Sequence, residues 1–216
     1  MSLEIDNVTV LEHPLAAVKL SVLRDRTTPT DDFRHNMQDL SVLLLAEASR
    51  KWATSPVEVE TPLRSCVGAR LTRPIVLVPI LRAGLGMLDG MLRIVPEARV
   101  GHLGLYRDEK TLRPVTYYSR LPDVHDAEVL LLDPMLATGQ SACAAIALLK
   151  AQGAVRLQYV CVVACTAGMR QLQTSHPNVP IITAVIDREL NQVGYIVPGL
   201  GDAGDRYFGT GIEPSL

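Results

Sequence analysis

Four stretches of this chain are apolar at nearly every position: residues 75–80, 129–132, 159–164 and 181–186. A half-exposed strand would alternate with period two, so unbroken runs of this length read as strands buried on both faces. Residues 99–105 read as a further strand. Between the runs the apolar spacing becomes helical. Phe33, Met37, Leu40, Leu44 and Ala48 mark one face of a helix running toward Trp52, with Thr30 as N-cap and Asp31 and Asp32 in an acidic first turn. Helices are also predicted over 83–94, from 142 to near Gly153, which suits a left-handed C′ position, and over 168–175. Residues 53–73 read as an irregular, Pro-containing region with one short strand. Residues 106–120 read as an excursion that carries a strand-like stretch at 115–118. The alternation predicts an α/β fold: a doubly wound, mostly parallel sheet with helices on both faces.

Polar chemistry sits where the predicted strands stop. Asp133 follows the 129–132 run, and Pro134, Met135, Leu136, Ala137, Thr138, Gly139, Gln140 and Ser141 lead into an alanine-rich helix. A small-residue turn before a helix makes an anion site, because the first N–H groups have no intrahelical partner and the dipole adds positive charge. Gly139 permits close backbone approach, and Thr138 and Ser141 offer hydroxyl donors. The stretch lacks the Gly-Lys-Ser/Thr of a Walker loop and the three glycines of a dinucleotide fingerprint. Arg82 ends the 75–80 strand, followed by Gly84 and Gly86, and Arg107 ends the 99–105 strand. Guanidinium forks suit phosphate oxygens, while a structural salt bridge is the other reading of Arg82. Two arginines and a phosphate loop at successive strand ends would form a receptor for a multiply phosphorylated small molecule.

The C-terminal stretch 191–211 holds six glycines from position 194 to 211, which argue against an ordered helix. Tyr195, Ile196, Val197, Leu200, Tyr207 and Phe208 are interleaved with them. So much apolar surface predicts a folded, glycine-shaped loop rather than a disordered tail. Its backbone N–H and C=O groups can match the edge of a flat heterocycle. For Asp202, capping a turn is the structural alternative.

The aliphatic strand with Asp-Pro-Met-Leu-Ala-Thr-Gly resembles the ribose-phosphate motif of type I phosphoribosyltransferases, in its uracil phosphoribosyltransferase branch. The 191–211 stretch resembles the uracil-binding end of that branch. His13-Pro14-Leu15, Lys19-Leu20, Arg24-Asp25, His176-Pro177 and Ile186-Asp187 match in order. The resemblance implies one phosphoribosyltransferase domain over 1–216, with an N-terminal helical arm (about 1–30) and a base-binding hood (about 187–211). It implies transfer of the phosphoribosyl group from 5-phosphoribosyl 1-diphosphate to uracil, giving UMP and diphosphate. Arg82 and Arg107 would hold the diphosphate, Asp133 the ribose hydroxyls and residues 137–141 the 5-phosphate, with Pro134, Met135 and Leu136 also in the substrate site. Ile196, Gly201, Asp202 and Ala203 would take the base, with Arg107, Asp133 and Asp202 as the catalytic group. Mg²⁺ would be held mainly through the substrate's diphosphate and ribose, with no dedicated protein metal site. Relatives are commonly dimers or larger assemblies, and some respond to GTP; both carry over as expectations, with Lys19, Arg24 and Arg26 as basic groups of the arm. Two features depart from the family. Gln140 stands where glycine is common, a cost of order 1 kcal/mol if the position needs positive φ. Cys165-Thr166-Ala167-Gly168 replaces Ala-Pro-Glu-Gly, away from the catalytic motifs.

The rest of the composition narrows the class. A formal charge of −2 over 216 residues gives no basic surplus for extended nucleic-acid binding. No apolar run is long enough to span a membrane, and no leader precedes the start, so a cytoplasmic protein is expected. Cys66, Cys143, Cys161 and Cys165 lack zinc spacing and read as buried thiols, and the five histidines form no ligand pattern. Beside the transferase stand a non-catalytic, RNA-binding regulator that keeps the pocket as a sensor, and an enzyme of the same fold acting on another base.

Overall fold

The computed structural model describes residues 7–107 and 114–211. The first half runs β1 (Val8–Val10), α1 (Pro14–Arg24), α2 (Thr30–Ala48), β2 (Thr54–Glu60), β3 (Ser65–Leu71), β4 (Ile75–Leu81), α3 (Leu85–Leu92), β5 (Arg99–Val100), β6 (His102–Arg107) and β7 (Pro114–Arg120). The second runs β8 (Glu128–Leu132), β9 (Met135–Leu136), α4 (Gln140–Ala151), β10 (Arg156–Cys165), α5 (Thr166–Ser175), β11 (Ile181–Asp187), β12 (Glu189–Leu190), β13 (Ile196–Val197) and α6 (Ala203–Phe208).

The central sheet has the order β1-β11-β10-β8-β4-β6-β7, with β5 beside β4 and β9 beside β10. Its pairings are parallel except β6 with β7. The predicted doubly wound, mostly parallel sheet is therefore the observed one, and the strand-like 115–118 stretch belongs to its antiparallel edge. The aliphatic runs are unbroken because both faces are covered. Leu77, Leu130 and Leu132 pack with α2 and α3 on one face. Val76, Val78, Val129 and Leu131 pack with Ala145, Ile146 and Leu149 of α4 and Leu172 of α5 on the other. At about 25 cal/mol per Å² of apolar surface, this two-sided burial is the main term favouring the fold.

Several expectations are corrected. Residues 53–73 form a regular hairpin, in which β2 and β3 pair only with each other. Leu63 is 95% exposed and Val67 79% exposed there, so neither face is buried and no hydrophobic alternation betrays the strands. Thr30 is the first residue of α2 rather than its cap; Pro29 is the cap and makes no side-chain bond. The helix ends at Ala48, four residues before Trp52, as Arg50 and Trp52 donate to the Glu47 and Ser49 carbonyls in turns. The 99–105 strand is broken at Gly101 into β5 and β6. The hood does contain an ordered helix, α6. Asp202 caps it, left-handed Gly209 ends it, and buried Tyr207 anchors it, which offsets the cost of Gly204 inside it. Cys161 and Cys165 are buried as expected, but Cys143 is half-buried and Cys66 is exposed on the hairpin. Gly153 has the left-handed φ expected of it, 94°.

Helices α2 and α3 cross at Gly90. A Cβ there would lie 2.3 Å from the Gln38 carbonyl oxygen. Helix propensity favours Gly90→Ala by about 1 kcal/mol. Overpacking against rigid backbone costs about 1–3 kcal/mol and should win. Urea unfolding should show a net loss of stability; a gain would mean the helices can part without cost.

Candidate active site

Strands β8, β4 and β6 are parallel neighbours, so their carboxyl ends lie along one edge. Asp133 follows β8, Arg82 follows β4, and Arg107 is the last residue of β6. The strand-end convergence expected from sequence is present in the backbone. The side chain of Arg107 and residues 108–113 of the predicted excursion lie outside the described residues.

After β8 the chain is sewn to β10. The Asp133 N–H donates to the Val160 carbonyl at 3.2 Å, and the Pro134 carbonyl accepts from Val162 and Val163, each at 3.0 Å. Pro134 and Leu136 are buried and serve this packing, while Met135, Ala137, Thr138 and Ser141 keep part of their surface open. The turn closes at Gly139, which has φ 82° and opens α4 without a side-chain cap. The first-turn N–H groups of α4 are thus available to an anion. Gln140 is the first residue of that helix and is exposed. The left-handed conformation belongs to Gly139, not to Gln140, so the strain feared at Gln140 does not arise.

The Cys165–Gly168 segment is not remote from the motifs. It begins α5, and a Cβ on Gly168 would meet the Ala137 carbonyl oxygen at 2.5 Å. The absence of a side chain at Gly168 lets α5 support the loop directly.

The C-terminal segment folds over this edge. β12 pairs antiparallel with β13, and between them the Asn191 carboxamide oxygen accepts from the Val193 and Tyr195 N–H groups at 3.1 and 2.9 Å. A cavity of about 330 Å³ lies beneath it. Asp133, Met135 and Ala137 line the cavity from the sheet, and Ile196, Gly201, Asp202 and Ala203 from the hood. Both halves of the predicted ribose and base sites therefore face one space. Ala83, Val193, Gly194 and Tyr195 line it too, and the sequence reading missed them. Tyr195 gave a signal, as an aromatic among glycines.

Asp202 has two partners. One oxygen accepts from the Asp205 N–H at 2.9 Å, which is the capping role, and the other accepts from the Tyr195 hydroxyl at 3.3 Å. The Asp202 charge and burial raise the Tyr195 pKa above its usual range. Arg82 lies 3.0 Å from Asp205, 3.4 Å from the Thr210 hydroxyl and 5.8 Å from the centre of the Phe208 ring. The salt-bridge alternative for Arg82 therefore holds in this structure. At 56% exposure the pair is weak, and a phosphate could replace Asp205 as the partner.

Asp133 lies at the floor of the cavity. Burial pushes its carboxyl up to about 7, opposed by the Met135 N–H at 3.3 Å and by the nearby Tyr159 hydroxyl. That hydroxyl is buried and has no hydrogen bond of normal geometry.

The family model for uracil phosphoribosyltransferase matches residues 10–210. The chain belongs to the uracil phosphoribosyltransferase family. A uracil phosphoribosyltransferase of Dictyoglomus turgidum is 53% identical over 205 residues, covering 94% of this chain and 99% of the relative. One from Acholeplasma laidlawii is 50% identical over 204 residues, covering 94% and 98%. A solved structure of an Aquifex aeolicus protein superposes with TM-score 0.90 at 36% identity, over 95% of this chain and 99% of that one. A hypoxanthine-guanine phosphoribosyltransferase of Bacillus anthracis shares the fold, with TM-score 0.52 at 8% identity, over 73% of this chain and 80% of that one. The uracil phosphoribosyltransferase match thus spans the strand-end loop and the hood together.

The Asp133 pKa has a consequence for stability. Its folded value, about 7, lies above the ordinary 3.8, so the folded state binds the extra proton between them. Stability should fall as pH rises through this window and level off above about 7. Asp133→Asn should lack this component. Unfolding free energies of both proteins from pH 5 to 8 check it; a wild-type minus variant difference that does not change with pH would refute it.

Proposed function

We infer that the chain transfers the phosphoribosyl group of 5-phosphoribosyl 1-diphosphate to uracil, giving UMP and diphosphate in pyrimidine salvage. The observation that carries this is the family match over residues 10–210, which includes both the strand-end loop and the hood that meet at one cavity.

The chemistry joins N1 of uracil to the anomeric carbon as diphosphate leaves, with positive charge developing on the ribose. The chain must hold the two reactants in line and stabilise the departing anion. We assign the 5-phosphate to residues 137–141 at the start of α4, and the ribose hydroxyls to Asp133. An ionised Asp133 accepts from those hydroxyls, and occupancy of the site would draw its pKa down. We assign the diphosphate to Arg82 and Arg107, with Arg82 leaving Asp205 as substrate arrives. We assign the base to main-chain groups of Ile196, Gly201 and Ala203, with Asp202 favouring loss of the N1 proton.

The donor set also fits Mg²⁺ as a substrate-held ion. Asp133 and Asp202 line the same cavity, so two carboxylates face the space that a substrate-held ion would share. Bound there, the ion would neutralise charge on the diphosphate.

Gln140 departs from the family inside the phosphate loop, and its ordinary helical conformation adds no backbone strain that would favour a non-catalytic sensor. We further propose a homo-oligomer, supported by the apolar Leu63 and Val67 of the outlying hairpin. GTP as an effector and a cytoplasmic location complete the reading. The arm lends GTP little support, because Lys19 is paired with Asp39 at 2.8 Å and Arg24 with Asp187 at 2.8 Å.

UMP should form from uracil and the ribosyl donor with Mg²⁺, and cytosine, thymine and hypoxanthine should compete poorly. Arg82→Ala should lower kcat/KM about a hundredfold, the scale for losing one preorganised donor to a developing anion. Gln140→Gly should leave turnover within about twofold, because glycine has no strain to relieve there. Absence of UMP from the natural chain would defeat the assignment, and rescue only by Gln140→Gly would locate the fault in the loop. Adding GTP to the same assay tests its effect on rate.

Sedimentation should give a multiple of the 23.5 kDa chain. Val67→Lys should shift it toward the single chain; an unchanged mass would take the hairpin out of the interface.

A further inference from the structure

The hood is glycine-rich, yet a reader of base edges must hold its peptide groups still. The turn that precedes the cavity is gripped from outside. Asp187, the last residue of β11, is buried, and its carboxylate accepts from the Gly199 N–H at 2.9 Å. Arg24, at the end of α1, meets that carboxylate with two prongs, at 2.9 and 2.8 Å. The same guanidinium donates to the Gly199 carbonyl at 3.1 Å. One ion pair therefore engages both polar backbone groups of a single residue. Gly199 has φ 56°, and a Cβ there would lie 2.1 Å from the Ile196 carbonyl oxygen, so the turn is closed tightly on itself.

The next carbonyl is held as well. Arg206 donates to the Leu200 carbonyl at 2.8 Å and to the carbonyls of Leu23 and Asp25, with its guanidinium 4.4 Å from the centre of the Phe33 ring. Residues 199–200 are thus tied to the end of α1, and Gly201, Asp202 and Ala203 of the cavity follow immediately.

We propose that Arg24 and Asp187 are positioning residues for the base: through Gly199 they set where residues 201–203 present their groups to uracil. Backbone recognition tolerates little displacement, and glycine supplies no stiffness of its own. The bidentate pair supplies it from α1 and β11, two elements with their own packing. The ribosyl donor is held mainly by groups on β4, β6, β8 and α4, outside the hood. Loss of the grip should therefore weaken uracil far more than the donor. This rests on reading 196–203 as the base-binding segment.

Arg24→Lys keeps the charge and one donor direction but cannot span both carboxylate oxygens and the Gly199 carbonyl. Steady-state kinetics, with each substrate varied in turn, should show KM for uracil raised at least about tenfold, as expected for misplaced reacting groups. KM for the ribosyl donor should stay within about twofold, since most of its contacts lie outside the hood. An unchanged KM for uracil, or an equal rise in both KM values, would overturn the proposal, because a merely structural role would not separate the substrates. If Arg24→Lys does not fold, Asp187→Asn faces the same criterion. Hydrogen exchange of residues 195–204 in the natural protein tells the two readings apart. No protection by uracil there would sink the base-segment reading itself, whereas protection with an unchanged KM in Arg24→Lys would sink the grip alone.

Discussion

Strands β4 and β8 lie side by side, with α2 and α3 on one face and α4 on the other. Every side chain from Ile75 to Ile80 is buried as a result. A carboxylate or guanidinium placed along either strand would lose its water without gaining a partner, at a cost of several kcal/mol. Polar function is therefore pushed to the end of the strands. Asp133 and Arg82 stand there, each immediately after its strand. The same covering layers explain the raised pKa of Asp133, which is close enough to the core to feel its low polarity and open enough to meet a ligand.

The parallel sheet supplies only half of the site. Its edge provides a carboxylate, an arginine and a helix N-terminus, all suited to a sugar phosphate. The wall facing them is built from a segment with almost no intrinsic stiffness. That segment is made definite by contacts reaching back across the chain: Arg24 and Asp187 on Gly199, Arg206 on Leu200, and Asp202 on the start of α6. Arg82 joins the two walls through Asp205. The cavity between them exists because distant charged groups hold the hood at a fixed place over the sheet.

Legibility followed the same division. The buried strands could be read from short, unbroken runs of branched aliphatic residues that stop at turn residues, a length too short for a helix. The strand-end motifs could be read because their chemistry is local: acid, small turn and helix lie within a dozen residues. The hairpin at 54–71 escaped because its strands pair with each other and bury no face, which leaves no alternation to detect. Helix α6 escaped because local propensity opposes it, and capping with a tertiary anchor overrides propensity. Tyr195 escaped as a site residue because its partner, Asp202, is brought to it by the β12–β13 turn.

By itself, then, the order of residues determined the layered α/β plan, the edge on which chemistry collects and the family to which its motifs belong. These depend on hydrophobic period and on groups adjacent in the chain. Tertiary structure decided that Gly139 rather than Gln140 carries the left-handed turn, that Arg82 rests on Asp205, and that Arg24 acts on a residue 175 positions away. The last two turn on distances of about 3 Å between groups far apart in sequence, and no local pattern encodes them.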